Sequence, residues 1–89
     1  MQMTNNAATM IADLVQQRAL PDGAGLRIAA RTDHRALAMS LAEAAAPEDV
    51  VVEADSARVF LAPLADLRLA GAVLDARRNR SGSAFFVQP

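Results

Sequence analysis

The apolar residues of this chain change their spacing at the turn sequence Pro21-Asp22-Gly23. Before the turn they recur three or four positions apart, at Ala7, Ile11, Leu14 and Val15. After the turn they recur at every second position, at Leu26, Ile28, Ala30, Leu37, Met39 and Leu41. The first spacing is typical of one face of a helix and the second of one face of a strand. The sequence therefore predicts an N-terminal helix followed by strands.

Both ends of the predicted helix carry local signals. Thr4 is a favourable N-cap, because its hydroxyl can accept a hydrogen bond from a free amide of the first turn. Pro21 disfavours helical geometry at the residue before it. We therefore expect the helix to begin after Thr4 and to end between Arg18 and Leu20.

A second pair of strands follows the first. Val50–Val52 is β-branched, which favours a strand, and Asp55-Ser56 suits a two-residue hairpin turn. Residues 58–61 then return as the partner strand. The alanine-rich segment 42–46 leaves its conformation open, and a helical turn is one reading of it.

The C-terminal third combines a short helix with two strands. Pro63 suits the first turn of a helix, and Gly71 lies where a left-handed cap is common. Val73-Leu74 begins a strand, residues 77–83 are expected to form a polar turn, and Phe85–Val87 closes the chain as a core strand. The predicted fold is a single α+β domain over residues 1–89, dominated by sheet. It has an N-terminal helix, about six short strands, and one short helix between the later strands.

Composition excludes several classes of function. The 89 residues contain no cysteine and one histidine, which excludes disulfides, thiolate metal sites, cysteine nucleophiles and multi-histidine sites. Nine basic and ten acidic residues leave a net charge of −1, so no general attraction to nucleic acid or anionic lipid is expected. No apolar run is long enough to span a membrane, and no secretory signal is visible. We expect a cytoplasmic protein.

No catalytic constellation emerges from the sequence. The ten acidic residues are scattered, and the serines lack the glycine pattern of a nucleophile elbow. Gly23-Ala24-Gly25 precedes a strand, which indicates a tight turn rather than a phosphate cradle. We therefore expect no catalytic, cofactor-binding or metal-binding residue, no cofactor and no enzymatic activity.

Two clusters of polar residues are candidates for a binding site. Asp33-His34 offers an oxygen and a nitrogen to a metal or small molecule, although a zinc site needs at least one further protein ligand. Arg77, Arg78 and Arg80 form a short basic cluster, which we expect to lie in a solvated loop because nucleic acid needs a wider basic surface.

The order of motifs resembles the HesB-like family, the A-type iron–sulfur cluster carriers. That family opens on apolar-Thr-x-x-Ala, continues with a Leu-Arg-Ile strand, and later combines a turn, a basic residue, an apolar strand, a proline, a glycine and an apolar-Asp pair. Matching segments occur here in the same order at Met3–Ala7, Gly25–Ile28, Val52–Glu53, Asp55–Pro63 and Leu69–Asp75, and the last three, which are the densest match, need no gap. Phe86 and Pro89 fall where the family has an aromatic residue before Asn-Pro.

The departures from the family concern its cluster ligands. The family carries one cysteine after the Leu-Arg-Ile strand, and that position falls within residues 33–35, which hold none. Its C-terminal Cys-x-Cys would begin beyond Pro89. Ser56 replaces the turn glycine, and Ala62 replaces the Asp before the proline. Because cluster iron prefers thiolate, the resemblance implies a preserved scaffold without the ligand set.

The resemblance implies a cysteine-free relative of the carriers that acts as a non-catalytic accessory or protein-interaction module. Its expected partners are proteins, with the iron–sulfur assembly machinery as one candidate, and a homodimer is a further expectation. An unpaired sheet edge is the expected contact surface. The alternative hypothesis is a small-molecule or metal-binding protein that uses the loop around Asp33-His34.

Overall fold

The computed structural model describes residues 1–32 and 36–89. Within those residues the chain forms two helices and seven strands. The helices are α1, Asn5–Gln17, and α2, Pro63–Arg68. The strands are β1 Gln2–Met3, β2 Gly25–Ala30, β3 Leu37–Ala42, β4 Val50–Ala54, β5 Ala57–Leu61, β6 Val73–Asn79 and β7 Gly82–Gln88. The predicted sheet-dominated α+β fold is confirmed.

The strands form two mixed sheets. The smaller has the order β1-β6-β7, and the larger has the order β3-β2-β5-β4. Each sheet contains one parallel pair, β1 with β6 and β2 with β5, and its other neighbours are antiparallel. Helix α1 contacts β6 of the smaller sheet and both β2 and β5 of the larger one, so it lies between the two sheets.

The hydrophobic core lies where α1 meets both sheets. The helix buries Ala7, Ala8, Met10 and Ile11. Leu26 and Ile28 of β2, Val59 and Leu61 of β5, and Leu74 of β6 complete the core. Fully burying a side chain such as Ile11 stabilises a fold by about 2 kcal/mol. The side chains of a strand alternate between its two faces, and burial decides which of the two sets faces the core.

The local signals for helices and turns are confirmed. Thr4 caps α1 and accepts a hydrogen bond from the Ala7 amide, and Pro63 begins α2. Asp55-Ser56 is the turn between β4 and β5, with Asp55 in the left-handed region at φ 54°. Gly25 begins β2 directly after a turn, as expected. A Cβ at that position would lie 2.3 Å from the Arg58 carbonyl oxygen, so only glycine fits there.

The structure corrects one local prediction, decides one open segment and adds one strand. The polar turn predicted over residues 77–83 is shorter than expected, because β6 continues through Asn79 and β7 begins at Gly82, which leaves residues 80–81 as the turn. Cross-strand pairing satisfies the backbone there, whatever the polarity of the side chains. Segment 42–46 is not a helical turn, because Ala42 still belongs to β3 and residues 43–44 form a bend. Strand β1 was not predicted, since two residues are too few to show a period.

A partly buried ion pair between Arg27 and Asp49 fixes the loop before β4. The Arg27 guanidinium donates from Nε to Asp49 Oδ2 at 3.0 Å and from Nη2 to Oδ1 at 3.1 Å. The Asp49 side chain is fully buried and also accepts a hydrogen bond from the Ala46 amide at 3.0 Å. Phe60, the register partner of Arg27 on β5, is 2% exposed. The face of the larger sheet that points away from α1 is therefore covered at this row.

Candidate functional site: an arginine-lined cleft at the open edge of β6

Strand β6 is much longer than the strand beside it. Its seven residues pair with β7 on one side, but β1 covers only Val73 and Leu74 on the other. In the part of the chain that the structure describes, no strand lies beside residues 75–79 on the β1 side. We call this five-residue stretch the open edge of β6.

The parallel ladder ends because Thr4 turns into α1. The Thr4 amide still donates to the Leu74 carbonyl at 2.9 Å, as a strand residue would. The Thr4 carbonyl, however, accepts a hydrogen bond from the Ala8 amide at 3.0 Å and so belongs to the helix. The N-cap of α1 and the end of the ladder are therefore the same residue.

Asp75 closes the ladder at this point. Its Oδ1 accepts hydrogen bonds from the Thr4 hydroxyl at 2.6 Å and from the Ala76 amide at 2.8 Å. The Thr4 hydroxyl holds the pKa of the Asp75 carboxyl below its usual value, and the Ala76 amide and the nearby Arg77 add to the effect. Asp75 thus joins the start of α1 to β6 and is a structural carboxylate.

Beyond Asp75, residues of α1, β6 and β7 line an open cleft of about 430 Å³. Its lining mixes polar, aromatic and cationic side chains: Asn6, Thr9, Met10, Asp75, Ala76, Arg77, Arg78 and Phe86. Its chemistry is that of a binding site for an anionic or hydrogen-bonding ligand.

The two arginines of the cleft differ in their partners. Arg78 donates from Nη2 to Asp13 Oδ2 of α1 at 2.8 Å, so its charge is balanced within the fold. Arg77 lies over the ring of Phe86, with its guanidinium carbon 5.5 Å from the ring centroid. In residues 1–32 and 36–89, no carboxylate lies within 4 Å of Arg77. Arg77 is therefore the cation in this cleft that can accept an external partner.

The charge of the whole chain is divided unevenly around this cleft. Residues 76–89 contain three arginines and no acidic residue, whereas residues 1–75 contain six arginines and all ten acidic residues. The near-zero net charge hides this division. The β6–β7 hairpin is thus a local positive region on a slightly acidic molecule.

A second groove of about 500 Å³ lies between the end of α1 and the β4–β5 turn. The cation that lines it, Arg58, already donates from Nε to Glu53 Oε1 at 3.2 Å. The remaining lining is largely alanine, valine, leucine and glycine. The smaller cleft beside β6 is the stronger candidate site, because among the described residues its Arg77 forms no ion pair, whereas Arg58 of the second groove is paired with Glu53.

The structure relocates two groups of residues from the sequence analysis. Arg77 and Arg78 lie on strand β6, so placing them in a solvated loop was wrong, while Arg80 does lie in the turn. Phe86 was expected to be core, but it is half-buried and lines the cleft, whereas its neighbours Phe85 and Val87 pack against the core. The missed signal was the alternation that continues past Leu74, with Ala76 buried and Arg77 exposed.

The other sequence candidates do not converge on a site. Asp33-His34 lies outside the described residues. In the described ranges, no three His, Cys, Asp or Glu side chains come together as a metal site. None of the helices in those ranges is long and apolar enough to span a membrane.

Comparison with known proteins finds likeness in structure and not in sequence. No protein-family model and no curated protein matches the chain. Among solved structures, Escherichia coli SufA, which is involved in the biosynthesis of iron–sulfur clusters, superposes with a TM-score of 0.81 at 22% identity. That match covers 98% of this chain and 82% of SufA.

Two further structures give the same result. A protein from Aquifex aeolicus superposes with a TM-score of 0.77 at 23% identity, over 99% of this chain and 89% of that one. IscA with its [2Fe-2S] cluster superposes with a TM-score of 0.69 at 20% identity, over 98% of this chain and 79% of IscA. The chain therefore has the fold of the HesB-like, A-type carriers, as the resemblance implied. Identity at this level establishes the fold alone.

Proposed function

We propose that these 89 residues form a non-catalytic protein-interaction module on the fold of the A-type iron–sulfur carriers, and that they hold no cluster by thiolate ligation. One observation carries the proposal. The backbone superposes on SufA with a TM-score of 0.81, yet the sequence contains no cysteine. Within these 89 residues the scaffold occurs without a thiol, which favours a role that depends on its surface rather than on bound iron.

The donor set of the chain does not fit an iron–sulfur cluster. Cluster iron is held by cysteine thiolates, with histidine as an occasional substitute. The chain has no thiol and a single histidine, and the described residues contain no other grouping suited to a metal. A cluster bound by IscA is therefore no guide to what these residues hold.

Proteins of the assembly machinery, including a cysteine-bearing relative, are the partners that the shared fold supports. A subunit of the same fold without ligands can pair with one that has them. The sheet edges offer the contact surface, because β3, β4 and β7 each pair on one side only in the described chain. The open edge of β6 adds a polar surface with a defined charge.

Anaerobic reconstitution tests the cluster part of the proposal. The chain is incubated with iron and sulfide under nitrogen, passed through gel filtration and examined by absorption spectroscopy. A cysteine-bearing A-type carrier treated in parallel is the positive control. We expect iron–sulfide absorption to elute with the carrier and not with this chain. Colour and analysed Fe and S²⁻ retained by this chain would contradict the proposal.

Direct binding tests the interaction part. Immobilised chain is presented with purified assembly proteins and with a cysteine-bearing carrier, and bound protein is quantified by biolayer interferometry. We expect saturable binding of at least one of them. Absence of binding to all of them would reject the assembly partners.

Titration calorimetry with Fe²⁺ and Zn²⁺ tests the alternative at Asp33-His34. A stoichiometric heat that disappears in His34→Ala would favour a metal-binding protein over an interaction module.

A further inference from the structure

We propose that the cleft beside β6 binds an acidic, extended segment of a partner protein, which adds as a strand to the open edge of β6 and places a carboxylate against Arg77. The inference rests on the proposed interaction function and specifies where the contact is made and by what chemistry. It differs from a general edge contact, because it assigns one strand, one cation and one class of ligand.

The first step is the position that a strand would take. The carbonyls of Ala72 and Leu74 point toward β1 and accept from the Gln2 and Thr4 amides. Backbone groups of a strand point to the same side at every second residue, so those of Ala76 and Arg78 point the same way. The Ala76 amide is taken by Asp75, which leaves the Ala76 carbonyl and the backbone of Arg78 facing the cleft. A partner strand would continue the line that β1 leaves at Thr4.

The second step is the length of that strand. Residues 75–79 span about 16 Å at the rise of a strand. A segment of about five residues therefore matches the open edge. Such recognition takes affinity from main-chain hydrogen bonds and specificity from alternate side chains.

The third step is the charge of the segment. The Arg77 guanidinium lies over the Phe86 ring, and none of its N–H groups donates to another described residue. A guanidinium binds a carboxylate through two parallel hydrogen bonds, which is stronger and more specific than a neutral contact. Asp13 already neutralises Arg78, so the cleft calls for about one carboxylate and not for a run of them.

The same charges argue against nucleic acid. Binding a phosphate backbone needs a wide positive surface, and here Asp13 and Asp75 border the two arginines. A polyanion would meet these two carboxylates as well as Arg77. An extended peptide with a single acidic side chain can place its one carboxylate against Arg77 and avoid them.

Fluorescence anisotropy with defined peptides tests the inference on the full chain. The probe is a labelled seven-residue threonine peptide with one central glutamate, and its control replaces that glutamate with glutamine. We expect the glutamate peptide to bind at least tenfold more tightly, as a lost charge-assisted hydrogen bond requires. Equal affinity of the two peptides would overturn the assignment of a carboxylate.

Two matched variants locate the contact. Arg77→Gln removes the cation of the cleft, and Arg80→Gln removes the same charge from the turn of the same hairpin. We expect the first to weaken the glutamate peptide about tenfold and the second to weaken it less than about twofold. Equal losses would show general attraction to the hairpin and reject the cleft. Circular dichroism verifies that both variants are folded.

N-methylated peptides test the strand addition itself. Methylation of every second backbone amide blocks one edge of the peptide, and methylation of the other amides blocks the opposite edge. We expect one of these two peptides to lose binding and the other to keep it. Equal behaviour would overturn the strand addition.

Tighter binding of a single-stranded oligonucleotide than of the glutamate peptide would mean that the cleft binds nucleic acid and not an acidic peptide. If assembly proteins bind the chain and Arg77→Gln leaves that binding unchanged, the inference fails and the proposed function stands.

Discussion

Arg27 and Arg77 both lie on strands and point away from the core, but the fold treats them differently. Arg27 makes two hydrogen bonds to Asp49, whose side chain is fully buried, and this pair fixes the loop before β4. Arg77 has an aromatic neighbour at 5.5 Å and no carboxylate within 4 Å in the described ranges. One arginine has its partner within the fold, whereas the other has its charge available at the mouth of a cleft.

The charge of Arg27 stabilises the fold, whereas the charge of Arg77 is available to a ligand. A buried carboxylate that loses its cation is destabilising, because its desolvation is no longer compensated. An exposed cation over an aromatic ring contributes little to stability. Substitutions at the Arg27 pair should therefore change folding, and substitutions at Arg77 should change binding. Four predictions test this division, beginning with the largest expected effect.

Asp49→Ala should have the largest effect on stability. It leaves Arg27 without its acceptor and removes the hydrogen bond to the Ala46 amide, so we expect a loss of about 2 kcal/mol in the free energy of unfolding. Urea denaturation followed by circular dichroism measures it. The exposed neighbour Glu48→Ala is the control and should change stability by less than about 0.5 kcal/mol. An equal loss in both variants would mean that the ion pair is not the stabilising feature.

Thr4→Ala should have an intermediate effect. The substitution removes the N-cap of α1 and the hydroxyl that donates to Asp75, and a lost cap costs about 1 kcal/mol. Thr9→Ala, on the exposed side of the same helix, is the matched control. It should be neutral or slightly stabilising, since alanine favours the helix. Thermal unfolding measures the stability of the two variants side by side. Equal losses in both would mean that the N-cap at Thr4 is not the cause.

Acid should weaken both carboxylate contacts. Hydrogen bonding to Arg27 lowers the pKa of Asp49, and hydrogen bonding to the Thr4 hydroxyl lowers the pKa of Asp75. A lowered native pKa contributes stability that is fully present above the ordinary carboxyl value of about 4. That stability is lost as the pH falls through the lowered native value.

Urea midpoints measured from pH 7 down to pH 2 should therefore decline below about pH 4. In the double variant Asp49→Asn with Asp75→Asn, the decline should be shallower. Asp22→Asn, at the exposed turn before β2, provides the comparison. A double variant with the same acid slope as Asp22→Asn would show that these two carboxyls do not set the pH dependence.

Arg77→Gln should have the smallest effect on stability. It removes an exposed cation–π contact, for which we expect a change of about 0.5 kcal/mol or less. The measurement is the same urea titration, with Arg80→Gln as the control of equal charge. A loss as large as that of Asp49→Ala would show that Arg77 holds the hairpin together and would end the distinction between the two arginines.

The parts of the fold that sequence predicted are those with local causes. The limits of α1 follow from Thr4 and Pro21, and the β4–β5 turn follows from Asp55-Ser56. The start of α2 follows from a single residue, Pro63. Each of these depends on residues that are close together in the chain.

The parts that sequence missed depend on distant residues or on competing signals. Arg27 and Asp49 are 22 positions apart, and no periodicity connects them. The arginines and serines between residues 77 and 83 favoured a turn in the sequence, but pairing with β7 makes most of this segment a strand. The cleft was missed because it is lined by that strand. Local polarity is a weak guide where a neighbouring strand satisfies the backbone.

The hydrogen bond between Thr4 and Asp75 joins residues 71 positions apart. During synthesis, the first helix therefore emerges from the ribosome long before the carboxylate that completes its N-terminus. Contacts of such sequence separation slow folding, because a long loop must close before they form. The N-terminal helix should thus remain exposed to chaperones and proteases until most of the chain has been made.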